Sequence, residues 1–187
     1  MRLFVALEIP SEVRGNLAEL LKSLRAVSPK TRWVRPENLH VTLKFIGEVP
    51  EATLATVRGA LAGVRSEQIV TLDFRGLGFF PNERHARVFW AGIGASPNLK
   101  ILAADIEKAT ETVGISREKR DFSPHLTLAR FRSAQIPEGL RAAIQENATR
   151  EFGLLRTSKF HLIESKLKSS GAEYTTVESF SFTAAEA

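Results

Sequence analysis

Two of the four histidines begin the same short pattern, and this repeat is the clearest chemical signal in the sequence. The pattern reads His40-Val41-Thr42-Leu43 in the first half of the chain and His125-Leu126-Thr127-Leu128 in the second. A lone histidine on a strand is usually a structural residue that is satisfied by local hydrogen bonds. A histidine followed two places later by threonine and then leucine, found twice, is an improbable coincidence and indicates a shared task.

The chemistry that two such histidines suit is paired acid–base catalysis. Opening a cyclic phosphodiester requires a base that deprotonates the attacking water and an acid that protonates the departing ribose oxygen. Because imidazole has an ordinary pKa near 6.5, one ring can be neutral while the other is protonated near neutral pH. The hydroxyls of Thr42 and Thr127, roughly 6 to 7 Å along a strand from the histidines, could hold the phosphate oxygens. This reaction needs neither a metal nor another cofactor.

A metal site is the alternative use of these histidines. Neither motif contains an acidic ligand, no histidine pair has a helical metal-binding spacing, and the chain has no cysteine. The missing cysteines also exclude disulfides and a thiol nucleophile. The residues therefore favour acid–base chemistry without a metal.

The strand period of two predicts which side chains accompany the histidines. His40, Thr42 and Lys44 should share one face, while Val41, Leu43 and Phe45 point into a core. In the second copy His125 and Thr127 should share a face with the small Ala129, opposite Leu126 and Leu128. On this pattern Lys44 would contact solvent or an RNA backbone.

The surrounding sequence predicts an α+β fold in which helical and strand segments alternate. Helices are expected near residues 11–24, 51–62, 97–113 and 137–147, and strands near 2–9, 31–34, 39–46, 68–80, 87–93, 124–131, 152–167 and 174–182. Residues 81–85 and 168–171 have the composition of hairpin turns. The sequence contains no flexible linker or low-complexity run, which predicts lobes that pack together rather than being tethered.

Composition and charge indicate the class of protein and the kind of partner that it binds. Of the 187 residues, 43% are hydrophobic and 25% are charged, as in an ordinary globular protein. The net charge of +5 moderately favours a polyanionic partner such as nucleic acid. Because no apolar run is long enough to span a membrane, and the N-terminus turns acidic too early for a signal peptide, we expect a cytoplasmic protein that does not bind membranes.

The two motifs and their flanks resemble the 2H phosphoesterases, and among them the RNA 2',3'-cyclic phosphodiesterases formerly called 2'-5' RNA ligases. The segments that carry the resemblance span nearly the whole chain: RLFVALEIP, RWVRPENLHVTLKFIGEV, FPNERHARVFWAGI and FSPHLTLARF. The resemblance implies a single domain over residues 1–187, built of two intimately packed lobes. Two antiparallel sheets related by a pseudo-twofold axis would face a central cleft, with helices outside.

The resemblance also implies the reaction and the roles of the site residues. A terminal 2',3'-cyclic phosphate on RNA would be hydrolysed to a 2'-phosphomonoester, with His40 as the general acid and His125 as the general base. Arg130 becomes a candidate phosphate ligand, although strict alternation would place it on the face of Leu126. The motif residues alone do not decide which histidine is the acid, because the two copies are chemically equivalent.

Several alternatives remain open from the sequence. The expected ligand is RNA with a cyclic phosphate end or a small cyclic nucleotide, and the chain is expected to be a monomer without an obligate protein partner. A non-catalytic RNA-binding or nucleotide-binding module, a 2'-5' ligase, or a phosphodiesterase acting on other cyclic or 2'-5'-linked nucleotides would keep many of the same residues. Trp33 and Phe122 could stack on a base, but aromatic residues are more often part of a core. His85 and His161 lack a threonine partner and are expected to be surface or structural residues.

Overall fold

The computed structural model describes residues 1–132, 136–169 and 171–183. Helices and strands alternate along the chain as the sequence predicts. Their bounds are β1 (Arg2–Glu8), α1 (Ser11–Val27), β2 (Arg32–Trp33), β3 (His40–Glu48), α2 (Leu54–Ala62), β4 (Val70–Phe80), β5 (Val88–Ala95), α3 (Asn98–Glu111), β6 (His125–Arg130), α4 (Glu138–Glu146), β7 (Glu151–Thr157), β8 (Lys159–Lys168) and β9 (Gly171–Ser181). Within the described ranges, no helix is both long and apolar enough to cross a membrane.

The strands form two antiparallel sheets, which confirms the predicted fold class. Sheet I has the strand order β3-β1-β8-β9, and sheet II has the order β2-β6-β5-β4-β7. Each sheet therefore receives one motif strand, β3 in sheet I and β6 in sheet II. The division of the chain into a single domain of two packed lobes stays a prediction.

Helices cover one face of each sheet, called here its outer face. In sheet I, α3 packs on β3 and α2 packs on β9, and the two helices also contact each other. In sheet II, α1 packs on β7 and contacts α4. The buried residues of α1 recur every three or four positions, as expected for a helix that buries one stripe: Val13, Leu17, Leu20, Leu21 and Leu24.

The apolar residues of the outer faces form one contiguous core. Leu3, Val5 and Leu7 of β1 belong to the same buried cluster as Leu126 and Leu128 of β6. The opposite, inner face of sheet I holds a second and smaller apolar cluster of Phe4, Ala6 and Ile163, with Tyr174 against it. The hydrophobic effect thus fixes the outer faces against helices and leaves the inner faces available for polar side chains.

A β-bulge interrupts both motif strands at the leucine of the motif. In the pairing of β1 with β3, Ala6 is opposite Thr42 and Val5 is opposite Lys44, so that Leu43 is the extra residue. In the pairing of β5 with β6, Trp90 is opposite Thr127 and Phe89 is opposite Ala129, so that Leu128 is the extra residue. Because a bulge sets two residues against one, the alternation of faces is reversed beyond each leucine.

The bulge overturns the expected positions of Phe45 and Lys44. The Phe45 side chain is 52% exposed instead of entering the core. The Lys44 side chain lies on the outer face and is only 1% exposed, instead of sharing the inner face with His40. The Lys44 ammonium donates to Glu107 Oε1 of α3 at 2.5 Å and to the carbonyl oxygen of Ser116 at 2.7 Å. The same carboxylate oxygen accepts the backbone N–H of Glu118 at 3.0 Å. Lys44 therefore ties β3 to α3 and to the segment that leads towards β6.

The second bulge displaces Ala129 in the same way. In addition, one strand predicted from the sequence consists of two strands in the structure. Ala129 is fully buried in the outer-face core, not beside His125 and Thr127. The predicted strand over residues 152–167 is divided at Ser158 into β7, which ends sheet II, and β8, which lies inside sheet I. The hairpin of β8 and β9 is confirmed, although the predicted turn includes Ser170, which lies outside the described residues.

The ion pair of the buried Lys44 with the partly exposed Glu107 predicts an asymmetric response to substitution. Glu107→Ala leaves a buried ammonium without its carboxylate and should lower the free energy of unfolding by about 3 kcal/mol. Lys44→Met removes the charge while keeping an unbranched side chain, and should cost less. Urea denaturation followed by circular dichroism measures both. Equal losses, or a greater loss for Lys44→Met, would contradict this account of the pair.

Candidate active site

The two motif strands lie close to each other in the fold. Cα atoms of β3 lie within 8 Å of Cα atoms of β6, although the strands belong to different sheets. The charge of Arg130, at the end of β6, is close enough to lower the pKa of His40 on β3. The inner faces therefore bring both sequence-predicted motifs to one cleft.

The two histidine rings are held by the same kind of local hydrogen bond to the backbone. His40 Nδ1 lies 2.7 Å from the carbonyl oxygen of Asn38, and His125 Nδ1 lies 2.8 Å from the carbonyl oxygen of Ser123. In each case the carbonyl belongs to the residue two places earlier. Because a carbonyl oxygen can only accept, Nδ1 carries the proton in each ring and Nε2 is the nitrogen that can exchange one. The two motifs thus agree in tautomer as well as in sequence.

The carbonyl that orients His40 lies in a short 3-10 turn, Pro36–Asn38, which is itself anchored. The Asn38 side-chain amide donates to the carbonyl oxygen of Ala172 at 2.8 Å. The Arg14 guanidinium of α1 donates to the carbonyl oxygen of Pro36 at 2.7 Å. These hydrogen bonds to β9 and α1 restrict the position of the turn and therefore the orientation of the imidazole.

Aromatic side chains surround the His40 ring. The Phe4 ring centroid lies 4.7 Å from that of His40, and the Tyr174 centroid lies 5.2 Å from it in an edge-on arrangement. Burial lowers the pKa of His40 below its ordinary value of 6.5, because a desolvated imidazolium is penalised. The hydrogen bond to Asn38 opposes this by favouring the charged ring, while Arg130 and Arg14 lower the pKa further.

The threonines of the motifs lie on the inner faces beside their histidines. Thr42 and Thr127 are half-buried, whereas the intervening Val41 and Leu126 are fully buried on the outer faces. The bulges begin only after the threonines, so the predicted alternation holds over this part of each strand. Each cleft wall therefore presents an imidazole and a hydroxyl two residues apart.

Arg130 reaches the inner face because of the bulge at Leu128. Leu128 and Ala129 are both buried, and Arg130 is exposed on the side of Thr127. Its cross-strand neighbour on β2 is Arg32, whose side chain must point the same way because directly paired residues share a face. Arg32 was not a sequence-predicted site residue, since nothing in the sequence identifies β2 as the neighbour of β6.

Sequence reasoning also missed one titratable neighbour of His40 on sheet I, and a second titratable residue lies one strand further away. Glu8 of β1 is paired with His40 in register. His161 of β8 is paired with Ala6 and contacts Ser179 Oγ through Nδ1 at 2.8 Å. Burial lowers the pKa of His161, and the charge of Glu8 partly offsets this. The strand order of sheet I, which the sequence does not reveal, places Glu8 beside His40 and His161 on the far side of β1.

The aromatic residues considered from the sequence belong to the core. Trp33 packs edge-on against Phe89 at 6.2 Å and donates its indole N–H to the carbonyl oxygen of Ser28 at 2.9 Å. Phe122 is partly buried against the same core cluster. Their positions agree with the structural interpretation that the sequence left open.

Comparison with known proteins identifies the class to which this fold and site belong. The family model described as LigT like Phosphoesterase matches residues 7–90 and 93–174. The chain therefore belongs to the LigT-like phosphoesterase family, as the resemblance of the motifs predicted.

Relatives match over nearly the whole chain. A protein of Archaeoglobus fulgidus named RNA 2',3'-cyclic phosphodiesterase is 35% identical over 180 residues, covering 96% of this chain and 99% of the relative. One of the same name from Thermus thermophilus is 37% identical, covering 97% and 90%. The crystal structure of TT0787 of Thermus thermophilus superposes with a TM-score of 0.78 at 32% identity, over 97% and 98% of the two chains. E. coli LigT complexed with 3'-AMP superposes with a TM-score of 0.75 at 26% identity, over 98% of each chain.

The desolvation of His40 predicts its titration. Its Cε1–H resonance should titrate with a midpoint below pH 6.5, because the aromatic surroundings favour the neutral ring. Inorganic phosphate bound in the cleft should raise this midpoint, since an adjacent anion stabilises the imidazolium. Proton NMR titration with and without phosphate measures both effects, and His40→Gln assigns the resonance. A midpoint at or above 6.5 in the free protein would contradict the burial of this ring.

Proposed function

We propose that the chain hydrolyses the 2',3'-cyclic phosphodiester at the end of RNA to a 2'-phosphomonoester, with His40 and His125 as the acid–base pair. The observation that carries the proposal is the matched anchoring of the two rings, which leaves both Nε2 atoms available at one cleft. A non-catalytic binding module has no need to fix the same tautomer in two histidines. Relatives from archaea and bacteria named RNA 2',3'-cyclic phosphodiesterase support the hydrolysis of a 2',3'-cyclic phosphodiester as the reaction.

The proposed reaction is an in-line displacement at phosphorus. His125 Nε2 takes a proton from a water whose oxygen attacks phosphorus. The bond from phosphorus to the ribose 3'-oxygen breaks, and His40 Nε2 delivers its proton to that oxygen. The 2'-oxygen keeps the phosphate. His125 leaves the cycle protonated and His40 neutral, and exchange with solvent restores both.

The surroundings of His40 bear on its role as the acid. In the free protein its lowered pKa favours the neutral ring, which would by itself suit a base. The substrate phosphate is an anion that enters the same cleft, and its charge favours the protonated ring. The carbonyl of Asn38 accepts from Nδ1 in both states and supports the imidazolium. We infer that substrate binding favours the protonated form of His40, which can then donate its proton.

Thr42, Thr127 and Arg130 are the proposed phosphate ligands. The two hydroxyls flank the histidines on opposite walls and can donate to the non-bridging oxygens. The guanidinium of Arg130 supplies positive charge where the attacking water adds negative charge to the phosphoryl group. The proposed ligand is therefore an RNA end or a small cyclic nucleotide. That the protein acts as a monomer stays a prediction.

Loss of either histidine should abolish turnover. His40→Ala and His125→Ala each remove a proton transfer that the other ring cannot supply, so that we expect a rate below about 1% of wild type. The measurement incubates a short RNA with a 2',3'-cyclic phosphate end in EDTA and separates the 2'-monoester from the 3'-monoester. His85→Ala, in an exposed turn, serves as the control and should keep the wild-type rate. Near wild-type turnover by either cleft variant would refute the acid–base assignment.

The phosphate ligands should contribute less than the histidines. Thr42→Val and Thr127→Val keep the shape of the side chain but remove the hydroxyl, and each should lower kcat by about 10- to 1000-fold. Thr56→Val, exposed on α2, is the matched control. Steady-state kinetics with a cyclic mononucleotide measures these effects. Unchanged kcat in both cleft variants would show that the threonines do not contact the phosphate in the transition state.

A further inference from the structure

A large aromatic side chain lies on the inner face of sheet II beside the motif. Trp90 of β5 is the cross-strand partner of Thr127, so both side chains point into the cleft. The neighbouring Phe89 and Ala91 are fully buried on the outer face, which confirms the orientation of β5 at this position. Trp90 itself is half-buried. Over residues 1–132, 136–169 and 171–183, its indole joins neither of the two buried apolar clusters.

The indole lies against the backbone of the next strand. Trp90 is also paired with Gly78 of β4, and a Cβ added at Gly78 would come within 2.3 Å of the indole atoms Cη2 and Cζ2. Glycine at position 78 therefore provides the space that the ring occupies. An indole resting on a glycine backbone, next to the phosphate-binding strand and outside the core, is a rigid surface on which a planar group can stack.

The spacing fits one nucleotide. Directly paired side chains in a sheet have Cβ atoms about 4.5 to 5.5 Å apart, so the Trp90 ring begins one strand away from the hydroxyl of Thr127. In a 2',3'-cyclic nucleotide the ribose separates the phosphorus atom from the base by a comparable span. A phosphate held at Thr127 would thus carry the base of the same nucleotide over β5 and β4.

We propose that Trp90 is the stacking platform for the terminal nucleobase. The ring can occupy this position because Gly78 has no side chain. The proposal rests on the proposed function, because it takes the phosphate to be bound between His40 and His125. An indole stacks on every base, so Trp90 supplies affinity for a nucleoside without strong base preference. It is a positioning residue for the substrate and not a participant in proton transfer.

Kinetics on two substrates tests the platform. Trp90→Ala should raise KM for adenosine 2',3'-cyclic phosphate by about 5- to 100-fold and leave kcat within a few-fold, while Trp90→Phe should recover most of the affinity. For 1-O-methyl-ribofuranose 2',3'-cyclic phosphate, which lacks a base, Trp90→Ala should match the wild type. Equal losses on both substrates would show a purely structural role, and an unchanged KM on both would also overturn the proposal.

A second variant tests the orientation of the ring without removing it. Gly78→Ala must displace the indole, because the added Cβ would overlap it. KM should rise for the adenosine substrate and remain unchanged for the base-free one, with circular dichroism confirming the fold. If Gly78→Ala binds the adenosine substrate as tightly as wild type does, the observed ring position is not the binding one and the proposal fails.

Fluorescence tests stacking separately from turnover. In Trp33→Phe, Trp90 is the sole tryptophan, since the chain contains two. Adenosine 2'-monophosphate should quench its emission, and ribose phosphate should not. If the wild type hydrolyses neither cyclic substrate, the proposed function fails, but quenching still decides whether a nucleobase stacks on Trp90. Absence of quenching by adenosine 2'-monophosphate at saturating concentration would overturn the platform.

Discussion

The β-bulge at the leucine of each motif is the constraint on which the arrangement of the cleft depends. Before the bulge, histidine and threonine alternate with core residues in the ordinary way. At the bulge two consecutive residues turn towards the helices, Leu43 with Lys44 and Leu128 with Ala129. Without the extra residue, Lys44 would enter the cleft and Arg130 would be directed into the core. The bulge thus determines which cations face the proposed phosphate site.

The same device in both strands makes the site symmetric in backbone but asymmetric in chemistry. The residue two positions after the leucine is Phe45 in one copy, 52% exposed, and Arg130 in the other. His40 lies among aromatic rings, whereas His125 is exposed. The equivalence of the two motifs is therefore broken by their surroundings. One wall of the cleft supplies desolvation and the other supplies positive charge.

The hydrogen bonds that hold the His40 ring and its strand connect the cleft to the rest of the fold. The turn that holds His40 is bonded to β9 and to α1, and the buried Lys44 ties the same strand to α3. These contacts join helices and strands from distant parts of the chain. Preorganisation of this kind matters because proton transfer requires each Nε2 to be directed at its substrate atom before reaction. The stability of the fold and the geometry of the cleft consequently share the same interactions.

The sequence by itself determined the fold class, most elements and the face on which the motif residues lie, because periodicity and a repeated motif are local signals. His40, Thr42, His125 and Thr127 lie on the inner faces as the period of two requires. The tertiary structure alone decided the positions of Lys44, Ala129 and Arg130, since one extra residue in a strand leaves no mark in its composition. It alone brought Trp90, Arg32 and Glu8 to the cleft and assigned β7 and β8 to different sheets. These placements depend on strand order and register, which are set by packing between segments far apart in the chain.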